Sequence, residues 1–169
     1  MKSKLLLSIL LLAFTISINA QQTQAWGNWT WLMGEWKGEG NGEPGKGSGT
    51  FSFTPDLDKK VLVRKAHSEY PATDTKRKVV HDDLMVVYLD YSGNPSKAIY
   101  FDNEGHTINY SISYSDKAIV LLSEKMPHVP VFRLTYSLLD NDIVNTKFEM
   151  SMDGEKFTTY VEGKSKKMK

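Results

Sequence analysis

The sequence contains no cysteine, six prolines in 169 residues, and no apolar run after its opening segment long enough to cross a bilayer. The missing cysteine excludes disulfides, a thiol nucleophile and a lipid-anchoring cysteine. Charge of one sign is missing too. Twenty-one basic residues face 20 acidic ones, so no long-range pull toward nucleic acid or an anionic membrane is expected. No Gly-x-Ser-x-Gly elbow is present, nor a serine with an evident base beside it. No segment after residue 40 carries a helical apolar stripe.

What is present begins with "LLLSILLLAF", preceded by Lys2 and Lys4 and closing on "INA" before "QQTQ". A basic start, a short apolar middle and a small residue at the cut are the features of a secretory signal. The expectation is therefore a signal peptide over 1–20, cleaved near Ala20, then a flexible segment over 21–28, a folded domain over 29–164 and a basic tail over 165–169. The product would be exported, periplasmic or extracellular, without a membrane span, and a monomer or weak dimer. An ordinary apolar core must hold it, and 40% hydrophobic residues can supply one.

Along the domain the apolar period is two. "GTFSFTP", "KKVLVRKAHSEYP", "DDLMVVYLDY", "SKAIYFD" and "HTINYSISY" are rich in β-branched and aromatic residues, as are "KAIVLLSE", "PVFRLTYSLL", "DIVNTKFEMSM" and "EKFTTYVEGK". Turn signals such as "SGNP", "NEG", "DND" and "DG" separate them. With "GEWKGEGNG" in front, the pattern predicts an all-β fold of about ten antiparallel strands. Short links favour an up-and-down meander, and closing it into a barrel removes both exposed edges. Such a barrel has room for a small ligand.

The stretch "WGNWTWLMGEWKGEGNGEPGKGSG" holds all four tryptophans and eight of the 12 glycines. Trp29, Leu32, Met33 and Trp36 lie at i, i+3, i+4 and i+7, which predicts one helical turn able to plug a barrel mouth. A phosphate cradle is disfavoured, because no Gly-Lys-Ser/Thr ending and no βα unit follow.

"LMGEWKGEG" followed by "GSGTFSF" resembles the opening of lipocalin-like barrels of the calycin type, notably an uncharacterised secreted bacterial family. Gly34, Trp36, Gly38 and Gly40 match the Gly-x-Trp-x-Gly-x-Gly first strand of nitrobindin-like barrels, and "HDDLM" and "YFDNEGH" look like further signatures of the bacterial family. The resemblance spans about residues 29–164 and implies a barrel that holds a small molecule. It also raises haem, which nitrobindin-type sites hold with a histidine of a late strand. This chain has no histidine after His128, and its last strands offer Lys147, Glu149, Met150, Met152 and Tyr160 instead. Haem is therefore disfavoured, and the cofactor stays unknown.

Polar residues embedded in the strands supply the candidate site. Arg64, His67, Tyr88, Tyr110, Arg133 and Tyr136, with Trp36, are expected to contact a small, mostly apolar ligand, with a carboxylate as one option for its polar end. Arg133, amid "VFRLTY", would want an anionic partner; a ligand carboxylate is one candidate, and an acid on a neighbouring strand is the favoured one. The alternative is an enzyme or metal-binding barrel. His67, His81 and His106 with Glu69, Asp83 and Asp102 would then gather at one mouth. Within that set, His81, Asp83, Asp102 and His106 could hold Zn²⁺ through nitrogen and oxygen ligands. "DNEGH" also reads as a turn, which is the favoured reading, yet a turn would itself bring Asp102 and His106 together across a hairpin.

Overall fold

The computed structural model describes residues 25–40, 46–75 and 77–169, so the expected signal segment lies outside the described residues. A single 3₁₀ turn (Gly27–Trp29) precedes ten strands. These are β1 (Gly34–Gly38), β2 (Ser48–Asp56), β3 (Val61–Tyr70), β4 (Val79–Tyr88) and β5 (Lys97–Asp102). β6 (Thr107–Ser115), β7 (Ala118–Ser123), β8 (Val131–Asp140), β9 (Ile143–Ser151) and β10 (Thr158–Lys167) follow. Every strand pairs antiparallel with its neighbour in sequence, and β1 pairs with β10 to close the barrel. The fold is the closed all-β barrel that the period-two pattern predicts.

Alternation and register decide what faces inward. Phe53 pairs with Arg64, Arg64 with Met85, Ala98 with Tyr110, and Tyr136 with Thr146. The interior therefore combines aromatic, aliphatic and polar side chains.

The N-terminal turn plugs one mouth. Trp29 and Leu32 are fully buried, and the amides of Leu32 and Met33 both donate to the Trp29 carbonyl, at 2.9 and 3.1 Å. Three indole N–H groups fasten the plug. Trp26 donates to the Lys59 carbonyl, Trp29 to the Tyr114 hydroxyl and Trp36 to the Leu32 carbonyl, each at 2.8 Å. The Tyr114 hydroxyl in turn donates to the Pro95 carbonyl. Rings then fill the adjoining half of the lumen: Trp29 lies 5.5 Å from Phe53, Trp36 6.0 Å from Phe51, and Phe53 5.4 Å from Tyr136. Burying a ring or large aliphatic side chain in this way contributes roughly 1.5–3 kcal/mol.

Three expectations change here. The interior is not spacious along its whole length, because the tryptophan-rich segment supplies enough ring volume to fill the plugged half. Trp26, placed within a flexible lead-in, is 4% exposed and belongs to the plug. The basic tail is largely strand: Ser165, Lys166 and Lys167 pair with Gly38, Lys37 and Trp36, since β1 needs a second partner to close the barrel.

Candidate functional site: the open mouth

Opposite the plug, the wall formed by β1, β2 and β10 carries little side chain. A Cβ on Gly49 would sit 2.8 Å from the His67 carbonyl oxygen, and one on Gly47 would sit 2.6 Å from the Tyr70 ring. Glycine is required at both positions for β2 to lie flush on β3 and for Tyr70 to lie over the hairpin. With Gly38 and Gly163 beside them, these residues leave a cavity of about 160 Å³ at the mouth, walled also by Phe51, Arg64, Thr146 and Ser165.

Arg64 forms the polar wall of this cavity. β3 points it inward, where it is 8% exposed and forms an ion pair with Asp83 of β4. Burial works against the guanidinium charge, but Tyr136 and Asp83 oppose that effect and leave Arg64 more basic than an ordinary arginine. For Asp83, burial outweighs the attraction of Arg64 and His81 and holds the carboxyl above its usual range. Burial also raises Tyr100 and Tyr110, and pushes Tyr136 up to about 12. At neutral pH all three tyrosines are uncharged hydroxyls.

Among the described residues, Arg64 Nε and Thr146 Oγ1 are buried without a hydrogen-bond partner, and the buried Tyr136 hydroxyl has only the Arg64 guanidinium beside it. Arg64 and Thr146 both line the cavity, Tyr136 pairs with Thr146 across β8 and β9, and Tyr136 lies against the Arg64 guanidinium. A buried polar group without a partner costs about 1–3 kcal/mol.

From Asp83 a polar chain runs outward. His81 Nε2 lies 3.8 Å from Asp83 and 2.9 Å from the Tyr100 hydroxyl, which donates to Asp102 at 3.3 Å. Asp102 also accepts the His106 ring at 2.9 Å and the backbone N–H groups of Glu104 and His106 at 3.0 and 2.9 Å. Burial would raise Asp102, but these hydrogen bonds from His106 and Glu104 prevail and hold it low. "DNEGH" is thus a turn, with Gly105 at φ 92°, whose aspartate also ties His106 to the mouth.

Of the residues expected to touch a ligand, Arg64, Tyr110 and Tyr136 face the lumen. Trp36 is a fully buried post stacked on Phe51 and does not line the cavity. Tyr88 shares the outward parity of Val86 and is 39% exposed; the apolar run "LMVVYL" lacks alternation, and Met85 and Val87 are the residues that turn in. Arg133 also faces outward. Its Nε donates to Glu149 at 2.8 Å, and its guanidinium lies 3.9 Å above the Phe157 ring, so its partner is the acid on the neighbouring strand.

His67 lies on the outer wall, with Asp82 at 2.7 Å and Glu69 at 3.4 Å, while Glu69 also binds Lys78 at 2.9 Å. It therefore cannot join the mouth cluster, because odd and even positions of β3 face opposite ways. The same outer face, around His67, Leu84 and Phe101, carries a broader, more open depression of about 740 Å³ outside the lumen.

His81, Asp83, Asp102 and His106 are brought to one mouth, as the strand-end reading anticipates. Among the described residues, however, no group of three or more His, Asp or Glu side chains is placed to hold a metal ion. The late-strand groups offer haem little: Met152 and Tyr160 are exposed, and Lys147 binds Glu149 at 3.1 Å. Sequence reasoning missed Thr146, Tyr70 and Tyr100. Thr146 shares the parity of Phe148, and Tyr100 that of Asp102, so alternation could have found both.

No family model matches this chain, and neither does any curated protein. Among solved structures, the chain is similar to Rv2717c from M. tuberculosis, with a TM-score of 0.57 and 13% identity over 86% of this chain and 98% of that one. That similarity extends to the fold alone. No helix among the described residues is long and apolar enough to cross a membrane.

Proposed function

We propose that the chain is exported and that its barrel binds one small, mostly apolar molecule, polar end first, through the open mouth. The observation that carries this reading is a cavity at the mouth walled by two unpartnered polar atoms, Arg64 Nε and Thr146 Oγ1, with the buried Tyr136 hydroxyl behind them beside the Arg64 guanidinium. Groups that cost stability in the empty barrel gain partners when a guest supplies them. A cavity of about 160 Å³ has room for roughly five waters, so it accepts the polar end of a guest and a short length of chain. Beyond it, half-buried Phe148, with Phe132 stacked on it at 5.7 Å, offers an apolar rim.

Native mass spectrometry of the protein purified from its own host tests the reading. A small noncovalent adduct on a chain beginning near Gln21 is expected. An empty, full-length chain that takes up no apolar additive would refute it. The hydrogen-bonded series His81–Tyr100–Asp102–His106 favours a second reading, acid–base chemistry at the same mouth. Hydrolysis of a small activated ester by an empty barrel, lost in His81→Ala and His106→Ala, would select it instead.

A further inference from the structure

Charge balance at the cavity narrows the guest. Arg64 is the buried cation of the cavity wall, and its charge is already matched by Asp83, whose side chain is 7% exposed; Glu162 and Lys164, of opposite sign, line the cavity from the outward parity of β10 and balance each other. Arg64 still offers the Nε–H, an uncommitted donor. Tyr136 and Thr146 add two neutral hydroxyls, both able to donate. The free groups are thus donors without net charge. A carboxylate entering here would place two anions against one guanidinium in a buried space, and a buried charge without its own partner is strongly disfavoured. A carbonyl oxygen brings acceptor lone pairs and no charge.

Building on the ligand-binding reading, we propose that the open mouth selects an uncharged carbonyl head, such as a carboxamide, over the matching carboxylate, with Asp83 as the residue that sets this preference. Arg64 Nε donates to the carbonyl oxygen, Tyr136 and Thr146 complete the contacts, and the alkyl chain leaves toward Phe148. Asp83 acts through Arg64 and need not touch the guest. It is a positioning and charge-balancing residue.

The test uses octanamide and octanoate, matched in size and differing in charge, titrated into the full chain by calorimetry at neutral pH. The wild type is expected to bind octanamide at least tenfold more tightly than octanoate. Asp83→Asn, which leaves the Arg64 charge unmatched, is expected to reverse the order. Tyr136→Phe and Thr146→Val, which leave the Arg64–Asp83 pair intact, are expected to weaken octanamide binding several-fold and to leave the far weaker octanoate largely unaffected. Because Asp83→Asn could fail to fold, the wild-type comparison is decisive in itself. Equal or tighter octanoate binding by the wild type overturns the charge argument while leaving the carriage reading intact. Binding of neither compound, with an empty barrel from the native host, overturns both.

Discussion

His67 stands on the outer wall between two carboxylates, with its Nδ1 2.7 Å from Asp82 and its Nε2 3.4 Å from Glu69. The hydrogen bond to Asp82 leads the effects that hold its imidazole above the ordinary histidine range. A folded-state value above the unfolded one stabilises the fold fully below the unfolded pKa, and the benefit disappears as pH rises through the folded value. The urea midpoint of wild type should therefore exceed that of His67→Gln at about pH 6, with the difference gone by about pH 9. A difference that grows with pH would show that the pair does not stabilise the folded state. The same strand explains why single residues were only partly legible. Alternation in "VLVRKAHSEY" separates Arg64 from His67, but it does not say which set faces the lumen. Arg133 was misplaced for a different reason. The outer wall of a barrel can cover an arginine when a glutamate and an aromatic ring lie beside it, as Glu149 and Phe157 do.

Within the elements, the β2–β3 turn holds three successive residues in the left-handed region: Leu57 at φ 49°, Asp58 at 53° and Lys59 at 64°. Left-handed backbone costs a non-glycine residue roughly 1–2 kcal/mol. The turn is retained by the Lys60 amide donating to the Asp56 carbonyl at 3.1 Å and by the Trp26 indole on the Lys59 carbonyl. Lys59→Gly keeps both contacts, since one uses the carbonyl of residue 59 and the other the Lys60 amide and Asp56 carbonyl, and removes the Cβ conflict. It should raise stability by about 1 kcal/mol in chemical denaturation, and destabilisation would show the conformation to be unstrained. Strands of this kind are legible because each couples a period-two pattern to a turn signal. The left-handed run is not, because "DLDKK" contains neither glycine nor asparagine and the tertiary contact from Trp26 selects its conformation. The plug was legible from the i, i+3, i+4, i+7 spacing of Trp29, Leu32, Met33 and Trp36, whereas the share of the lumen that its rings fill depends on packing that no local pattern records.

For the molecule as a whole, closure rests on three register pairs between β1 and β10, on the Met168 amide donating to the Glu35 carbonyl at 2.8 Å and on the Glu39 amide donating to the Lys164 carbonyl at 2.9 Å. Deleting residues 165–169 removes all but the last and exposes two strand edges. At about 0.5–1.5 kcal/mol for each backbone hydrogen bond, the loss should be at least about 2 kcal/mol, with a tendency to associate on size exclusion. Unchanged stability would mean that the barrel does not depend on this seam. A closed tube, solid at one end and, among the described residues, open at the glycine-rich other, is what turns a meander of hairpins into a container. The measurement that addresses this most directly is a ¹H–¹⁵N titration of the full chain with octanamide, following the Arg64 Nε–H and the backbone amides. Shifts are expected at that side chain and at Gly38, Gly49, Thr146 and Gly163. Shifts gathered instead on His67, Leu84 and Phe101 of the outer wall, or none at all, would contradict it.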